Sequence, residues 1–207
     1  MSEIADRIKN LTKEDFIEGR VNLHIHSSYS DGRASFPDIV EQAKQKYKLF
    51  SVTDHNTVQG YIDYPETSAI TGVEFDVWYK YIFLHLLAYG IDPNNEEMKK
   101  FYAKDKDGTE KDIIRIFSRR NIKDLIQTIH IAGGIAVLAH PACCWALSLD
   151  SFIKDLKNLG LDGVEVYYPY PRWRKYFRFA SAEYIAKLAD KYGLIKTGGT
   201  DCHEKVI

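Results

Sequence analysis

Ile4, Ile8 and Leu11 recur at helical spacing, so a short amphipathic helix is expected over Ser2–Asn10, packed as a cap on the body of the domain. From Arg20 to His26 the rhythm changes to alternation. Val21, Leu23 and Ile25 fall on one face and Asn22, His24 and His26 on the other, which predicts a strand with a polar edge. Ser35 then caps a helix with Pro37 in its first turn, running to about Lys48, and Leu49–Thr53 is a short strand that delivers Asp54 and His55 at its end. Ala69–Trp78 and Tyr81–Tyr89, rich in aromatic and β-branched residues and almost contiguous, predict a tight hairpin carrying Glu74 and His85. The most polar stretch, about 92–120, reads as a helix-containing excursion from the main body.

Beyond it the strand and helix cadence resumes. A helix from Ile122 is stopped by Gly133-Gly134, and the strand Ile135–Ala139 ends in His140-Pro141. Ser148–Leu159 is a helix, Gly163–Tyr167 a strand, Lys175–Tyr192 a helix closed by Gly193, and Leu194–Thr197 a strand running into Gly198-Gly199-Thr200-Asp201-Cys202-His203. Strands separated by helices favour parallel pairing through right-handed crossovers, hence an α/β layer or a barrel. The histidines and carboxylates fall at or near strand C-terminal ends, where such folds build their sites, and a barrel would gather them in one mouth.

Composition narrows the setting. At 207 residues, 45% hydrophobic and 28% charged, the chain has the balance of one globular domain. A cap over 1–19 and a barrel domain over 20–207 describe its organisation. The net charge of −1, from 28 basic and 29 acidic side chains, removes the global argument for a dedicated nucleic-acid binder, although a local basic patch could still hold phosphates. Three cysteines, two of them neighbours, argue against a secreted disulfide framework, and no apolar run reaches the ~20 residues of a membrane span, so a cytoplasmic location is expected.

Six of the seven histidines lie in short motifs with acidic neighbours: HIHSSYSDG, TDHN, FLHLL, AHP and GTDCH, with GVE adding a further carboxylate. Imidazole and carboxylate together suit divalent ions, and the absence of thiolate from the set admits Zn, Mn and Fe alike. His24 and His26, two apart on a strand, point to the same face and can clasp one ion. Asp54 beside His55 reads either as a group hydrogen-bonding a ligand or the attacking water, or as a strand-end cap.

These motifs, in the order HIHSSYSDG, VTDHNTVQGY, ITGVEFD, HLLAYGID, AGGIAVLAHP, GVEVYY and GGTDCH, resemble the polymerase and histidinol phosphatase (PHP) domain family, and its small phosphoesterase branch in particular, over about Arg20 to His203. The resemblance implies a distorted seven-stranded (β/α) barrel with up to three divalent ions at the strand C-terminal ends. It implies that His24, His26 and Asp201 hold one ion, that Glu74 bridges it to a second held by His85 and His140, and that Asp31, His55 and His203 hold a third. Ions bridged in this way can clamp a phosphoryl oxygen and activate water, with Asp54, Glu74 and Asp201 as the catalytic carboxylates. The implied activity is hydrolysis of a phosphate mono- or diester of a small metabolite or nucleotide. Its rivals are a histidinol-phosphate phosphatase, a nuclease-like exonuclease, disfavoured by charge and size, and a non-catalytic metal-binding scaffold, disfavoured because all nine ligand positions are filled.

Some residues stand apart. Tyr167–Tyr176 mixes rings and cations at a strand exit, which makes Arg172 and Arg174 candidate substrate contacts against the alternative of a solvated loop. His130 lies outside every motif and reads as a structural histidine; Glu165 reads as a strand-end carboxylate in a hydrogen-bond network. The excursion is short for a nucleotide-cleaving relative, and only four residues come after His203, which implies an open barrel edge that oligomerisation could cover.

Overall fold

The structure is a computed structural model that describes residues 3–168 and 180–204. Two short helices, α1 (Glu3–Lys9) and α2 (Lys13–Ile17), lead into β1 (Val21–Asn22). Then come α3 (Phe36–Lys46), β2 (Leu49–Val52), α4 (Gln59–Asp63) and the hairpin of β3 (Ile70–Tyr79) and β4 (Ile82–Tyr89). The excursion contains a 3-10 helix (Glu96–Phe101), α5 (Asp107–Glu110) and α6 (Asp112–Arg115). The chain continues through α7 (Ile122–Ile131), β5 (Ile135–Leu138), α8 (Leu149–Asn158), β6 (Gly163–Tyr167), α9 (Ala182–Tyr192) and β7 (Ile195–Gly198). Caps predicted from sequence are in place: Ser35 accepts from the Asp38 N–H, and Gly193 ends α9 with a φ of 61°. Of the helix expected over Lys175–Tyr192, residues 175–179 lie outside the described part and the regular helix starts at Ala182.

The seven strands pair in chain order in a mixed α/β sheet, parallel except where β4 runs antiparallel to β3 and β5. The sheet curls into a nearly closed barrel. Leu23 N–H donates to Gly198 O (3.1 Å), Asp201 N–H to His24 O (2.8 Å) and His26 N–H to Cys202 O (2.9 Å), so residues after β7 zip onto the β1 edge. The open edge expected from the sequence is therefore covered by the chain itself.

Alternation along each strand divides the apolar residues into two cores. Leu84, Leu86 and Ala88 of β4, Val73, Phe75 and Val77 of β3, and Val164 and Val166 of β6 pack outward under the helices. Leu87, Tyr89, Ile70, Ile135, Val137 and Ala139 pack inward, joined by Ala5 and Ile8 of α1. Ile4 lies against Gly90, at the strand end away from the histidines, so α1 plugs the barrel floor. Full burial of a side chain such as Ile8 contributes about 1.5–3 kcal/mol. Upward from this floor, the same inward phase becomes ionisable: Glu74, Asp76, His85 and Glu165 stand on it.

The alternation predicted for Arg20–His26 breaks. Val21 and Leu23 belong to the inner core, whereas Ile25 belongs to the outer one, because regular pairing stops after Asn22. The excursion is likewise tied down: Trp78 Nε1 donates to Ile116 O (2.6 Å), Asn56 Nδ2 to Gly108 O (3.0 Å), and Arg120 Nη1 to Asp76 O (3.0 Å). Among the described residues no helix is long and apolar enough to cross a membrane.

Candidate metal centre

The nine candidate ligands arrive from six strands and the loops beside them, and all nine converge. His24 and His26 leave β1 on its irregular continuation, where Gly199 is packed so closely that a Cβ there would lie 2.3 Å from His24 Cβ. His55 follows β2 and bridges to Glu74 on β3. His85 lies on β4. His140 and Asp201 follow β5 and β7 with φ of 27° and 50°, a left-handed backbone that costs non-glycine residues energy and that here turns both side chains into the barrel mouth.

The ligand atoms form overlapping groups, each with its members within 4.8 Å of one another. Glu74 Oε2 lies 3.1 Å from His24 Nε2 and 3.2 Å from His26 Nε2, and Asp201 Oδ1 lies 3.4 and 3.0 Å from the same two nitrogens. Glu74 Oε1 lies 2.9 Å from His85 Nδ1 and 3.3 Å from His140 Nε2. Asp31 Oδ1 lies 3.3 Å from His203 Nε2 and 3.7 Å from His26 Nδ1, and its Oδ2 lies 3.7 Å from His55 Nε2. Ligands ~2.1 Å from a shared ion stand ~3.0–3.4 Å apart at tetrahedral or octahedral angles, the spacing found in the first two groups. His26 Nδ1 and Nε2 and His85 Nδ1 are buried near these oxygens yet make no hydrogen bond to them. Close approach without donor-to-acceptor alignment is what atoms aimed at a common point produce, so the donor set fits divalent ions.

Charge reinforces the fit. Burial alone would raise Glu74 and Asp201, but the surrounding histidines hold both well below the usual carboxylate range. Burial likewise opposes the charged form of His26 and His85, and is overcome by Asp201 and Glu74 for the first and by Glu74 and Asp76 for the second, to about 9 and about 10. Without an ion the carboxylates keep protons on His24, His26 and His85, where a cation would take their place, whereas burial lowers His55 to about 3 and leaves its ring neutral.

A further layer fixes the ligands. Glu165, buried, accepts from His24 Nδ1 (3.0 Å) and from the His140 N–H (2.9 Å), the network role expected of it. Asp76 faces two rings, its Oδ1 3.1 Å from His85 Nε2 and 3.7 Å from His55 Nδ1 with a hydrogen bond to neither, so that His55, Asp76 and His85 form a further group of converging donors, and Asn56 Nδ2 donates to Asp76 Oδ2. It stands two residues from Glu74, as His26 stands from His24, and that spacing was a signal the motif reading leaves unused. Tyr168 Oη donates to Asp201 Oδ2 at 2.6 Å, leaving Oδ1 to the histidines. Arg115, from the excursion, donates to Asp31 Oδ2 at 2.8 Å, and no local motif announces it.

Asp54 is placed otherwise than among the ligands. Its oxygens accept from Ser27 N–H (2.7 Å), Ser27 Oγ (2.5 Å) and Ser30 Oγ (2.7 Å), and burial raises its pKa against those bonds. It braces the turn that carries Asp31 and makes no hydrogen bond to a histidine ring. His130 pairs with Asp162 at 2.7 Å, remote from the ligands. Arg172 and Arg174 lie outside the described residues.

The ligands open into a cavity of about 280 Å³, lined by Asp31, His55, Glu74, Asp76, His85, Arg115, His140, Asp201 and His203. A larger, more apolar cavity of about 700 Å³ between α2, β6 and α9 receives none of them.

A family model described as PHP domain matches residues 22–194. An uncharacterized protein of Methanocaldococcus jannaschii is 29% identical over 171 residues, 74% of this chain and 84% of its own length. A phosphoribosyl 1,2-cyclic phosphate 1,2-diphosphodiesterase of Eggerthella lenta is 24% identical over 260 residues, 89% of this chain and 94% of the other. Among solved structures, a protein classed as a metal-dependent phosphoesterase from Bifidobacterium adolescentis superposes with a TM-score of 0.71 at 20% identity, covering 89% of this chain and 88% of that one.

Proposed function

The chain belongs to the PHP domain family, and on that premise we propose that it is a metal-dependent phosphoesterase that hydrolyses a phosphate mono- or diester of a small metabolite or nucleotide. The observation that carries this reading is Glu74. Its two oxygens are divided between the His24, His26 and Asp201 group and the His85 and His140 group, as a carboxylate bridging two cations requires. The cyclic phosphodiester in the name of the Eggerthella lenta relative supports keeping diesters within the substrate class.

Divalent ions bound there would polarise a phosphoryl oxygen and make water a nucleophile at neutral pH. The chain's own residues prepare that chemistry. Glu165 selects which nitrogen of His24 carries the ring proton, leaving the other nitrogen's lone pair free to ligate. Tyr168 turns Asp201 so that one oxygen faces His24 and His26. The side chains of His24, His26 and Glu74 are at most 1% exposed, whereas His203 is 36%, Asp31 20% and His85 19% exposed, so the mouth opens over the Asp31, His203 and His85 rim and is widest at His203. The ligand set, nitrogen and oxygen without thiolate, suits Mn, Zn or Fe, up to three ions in all.

Phosphate release from a panel of phosphomonoesters, nucleotides and short oligonucleotides in Mn²⁺, comparing wild type with Asp201→Ala, tests the proposal. Release that disappears in the variant supports it and ranks the substrates. Metal binding with no release from any compound would favour a scaffold.

A further inference from the structure

Among the described residues, one permanent cation lines the cavity, beside the candidate metal ligands, the carboxylates Asp76 and Asp112, and the apolar Phe83 and Ile116. Arg115, the last residue of α6, is 5% exposed and lines the cavity of about 280 Å³. A guanidinium carries five N–H donors. Nη1 donates to Asp31 Oδ2 (2.8 Å) and Thr109 O (3.1 Å), and Nη2 to Asp112 Oδ1 (2.6 Å). Nε is buried without a hydrogen-bond partner, 3.6 Å from Asp76 Oδ1. The bonds already made fix the fork in place without consuming it: Nε–H and one Nη2–H remain. A buried donor without a partner is unfavourable and calls for a group that completes it, and a guanidinium is shaped to take two oxygens of one tetrahedral anion.

Resting on the phosphoesterase reading, we propose that Arg115 is a binding residue for the phosphoryl group, its remaining N–H donors holding non-bridging oxygens of the substrate and of the product phosphate. Its bond to Asp31 seats that anchor beside the His26, His55 and His203 group, on the more exposed side of the mouth. The excursion thereby contributes to the site: Asn56 and Trp78, on the barrel, hold Gly108 and Ile116 on either side of Arg115.

The test uses inorganic phosphate as the probe. Its binding to metal-loaded protein is followed by calorimetry, with metal content by mass spectrometry and KM and kcat on p-nitrophenyl phosphate, for wild type, Arg115→Gln and Arg115→Lys. Arg115→Gln is expected to weaken phosphate binding about 10- to 100-fold, the range of a hydrogen bond to a charged group. KM should rise in step, with kcat within a few-fold and metal content unchanged; Arg115→Lys, which keeps the charge without the fork, should recover part of the loss. Unchanged phosphate affinity in Arg115→Gln, or a loss that only follows a loss of metal, overturns the proposal and makes Arg115 a clamp on Asp31. Should wild type bind phosphate through Arg115 yet hydrolyse nothing, the anchor stands and the hydrolytic reading fails. Hydrolysis with KM and phosphate affinity untouched in Arg115→Gln has the opposite meaning.

Discussion

Glu165→Gln tests whether the carboxylates behind the histidines set their ligating state. Both oxygens of Glu165 accept, Oε1 from the His24 ring at 3.0 Å and Oε2 from the His140 N–H at 2.9 Å. Glutamine has the same shape but only one acceptor oxygen, so its amide NH₂ must face one of the two donors. If the oxygen stays with His140, the NH₂ faces His24 Nδ1 and favours the tautomer with its proton on Nε2, the nitrogen that meets Glu74 and Asp201. Losing a charge-assisted hydrogen bond costs about 1.5–3 kcal/mol, roughly 10- to 100-fold in metal affinity, which is also the usual effect of removing a carboxylate behind a ligating histidine. If the oxygen turns to His24 instead, the buried His140 N–H loses its acceptor and the cost of about 1–3 kcal/mol falls on the metal-free fold. A competition titration against a chromophoric chelator measures the first outcome, and Tm with and without metal separates it from the second. Wild-type metal affinity together with wild-type metal-free Tm would refute the reasoning.

Asp76→Asn should lower metal content at the His85 side of the centre by weakening affinity about tenfold or more, because Oδ1 also faces His55; elemental analysis after dialysis against limiting metal checks it. Gly199→Ala places a Cβ 2.3 Å from His24 Cβ and 2.5 Å from its backbone nitrogen, so the variant should lose metal affinity and about 1–3 kcal/mol of stability, read by metal content and denaturant midpoint. Metal loading should strengthen as pH rises from 7 to 9. His24, raised well above the usual imidazole value by Glu74, Glu165 and Asp201 against burial, and His26 and His85, raised to about 9 and about 10, are protonated in the metal-free protein. They must release those protons to bind a pair of ions, so filling both groups releases up to one proton from each of the three in a calorimetric titration across buffers. The same shifts act oppositely on the metal-free fold: groups raised above ~6.5 stabilise it most below that pH, and the contribution is lost as pH rises through 9 to 10, visible as a falling Tm without metal.

What could be read from the chain and what could not divide along a physical line. The hairpin of β3 and β4, the capped helix after Ser35 and the strand Gly163–Tyr167 arise from period and turn chemistry, which are local. The convergence of the candidate ligands was legible for a related reason: in a barrel, inward-facing residues of separate strands and residues just beyond the strand ends meet in one mouth whatever the loops between them do, so short motifs suffice. Local period misleads at His24-x-His26. The two rings share the site although the strand carrying them breaks, and Ile25 crosses to the outer core because the backbone there pairs with Gly198–Cys202, at the far end of the sequence. Asp76 was within reach of the spacing argument; what its sequence neighbours could not convey is that both His55 and His85 present their second nitrogen to it. Arg115 lies at the other extreme of legibility. It sits in a polar stretch with no strand to aim it, and its place over Asp31 depends on the Asn56 to Gly108 and Trp78 to Ile116 bonds, contacts across 52 and 38 residues. A barrel's topology delivers metal ligands to one point almost automatically, whereas a side chain that reaches the site from an excursion is positioned by tertiary contacts alone, which is why the excursion is where members of one fold family can differ in what they bind.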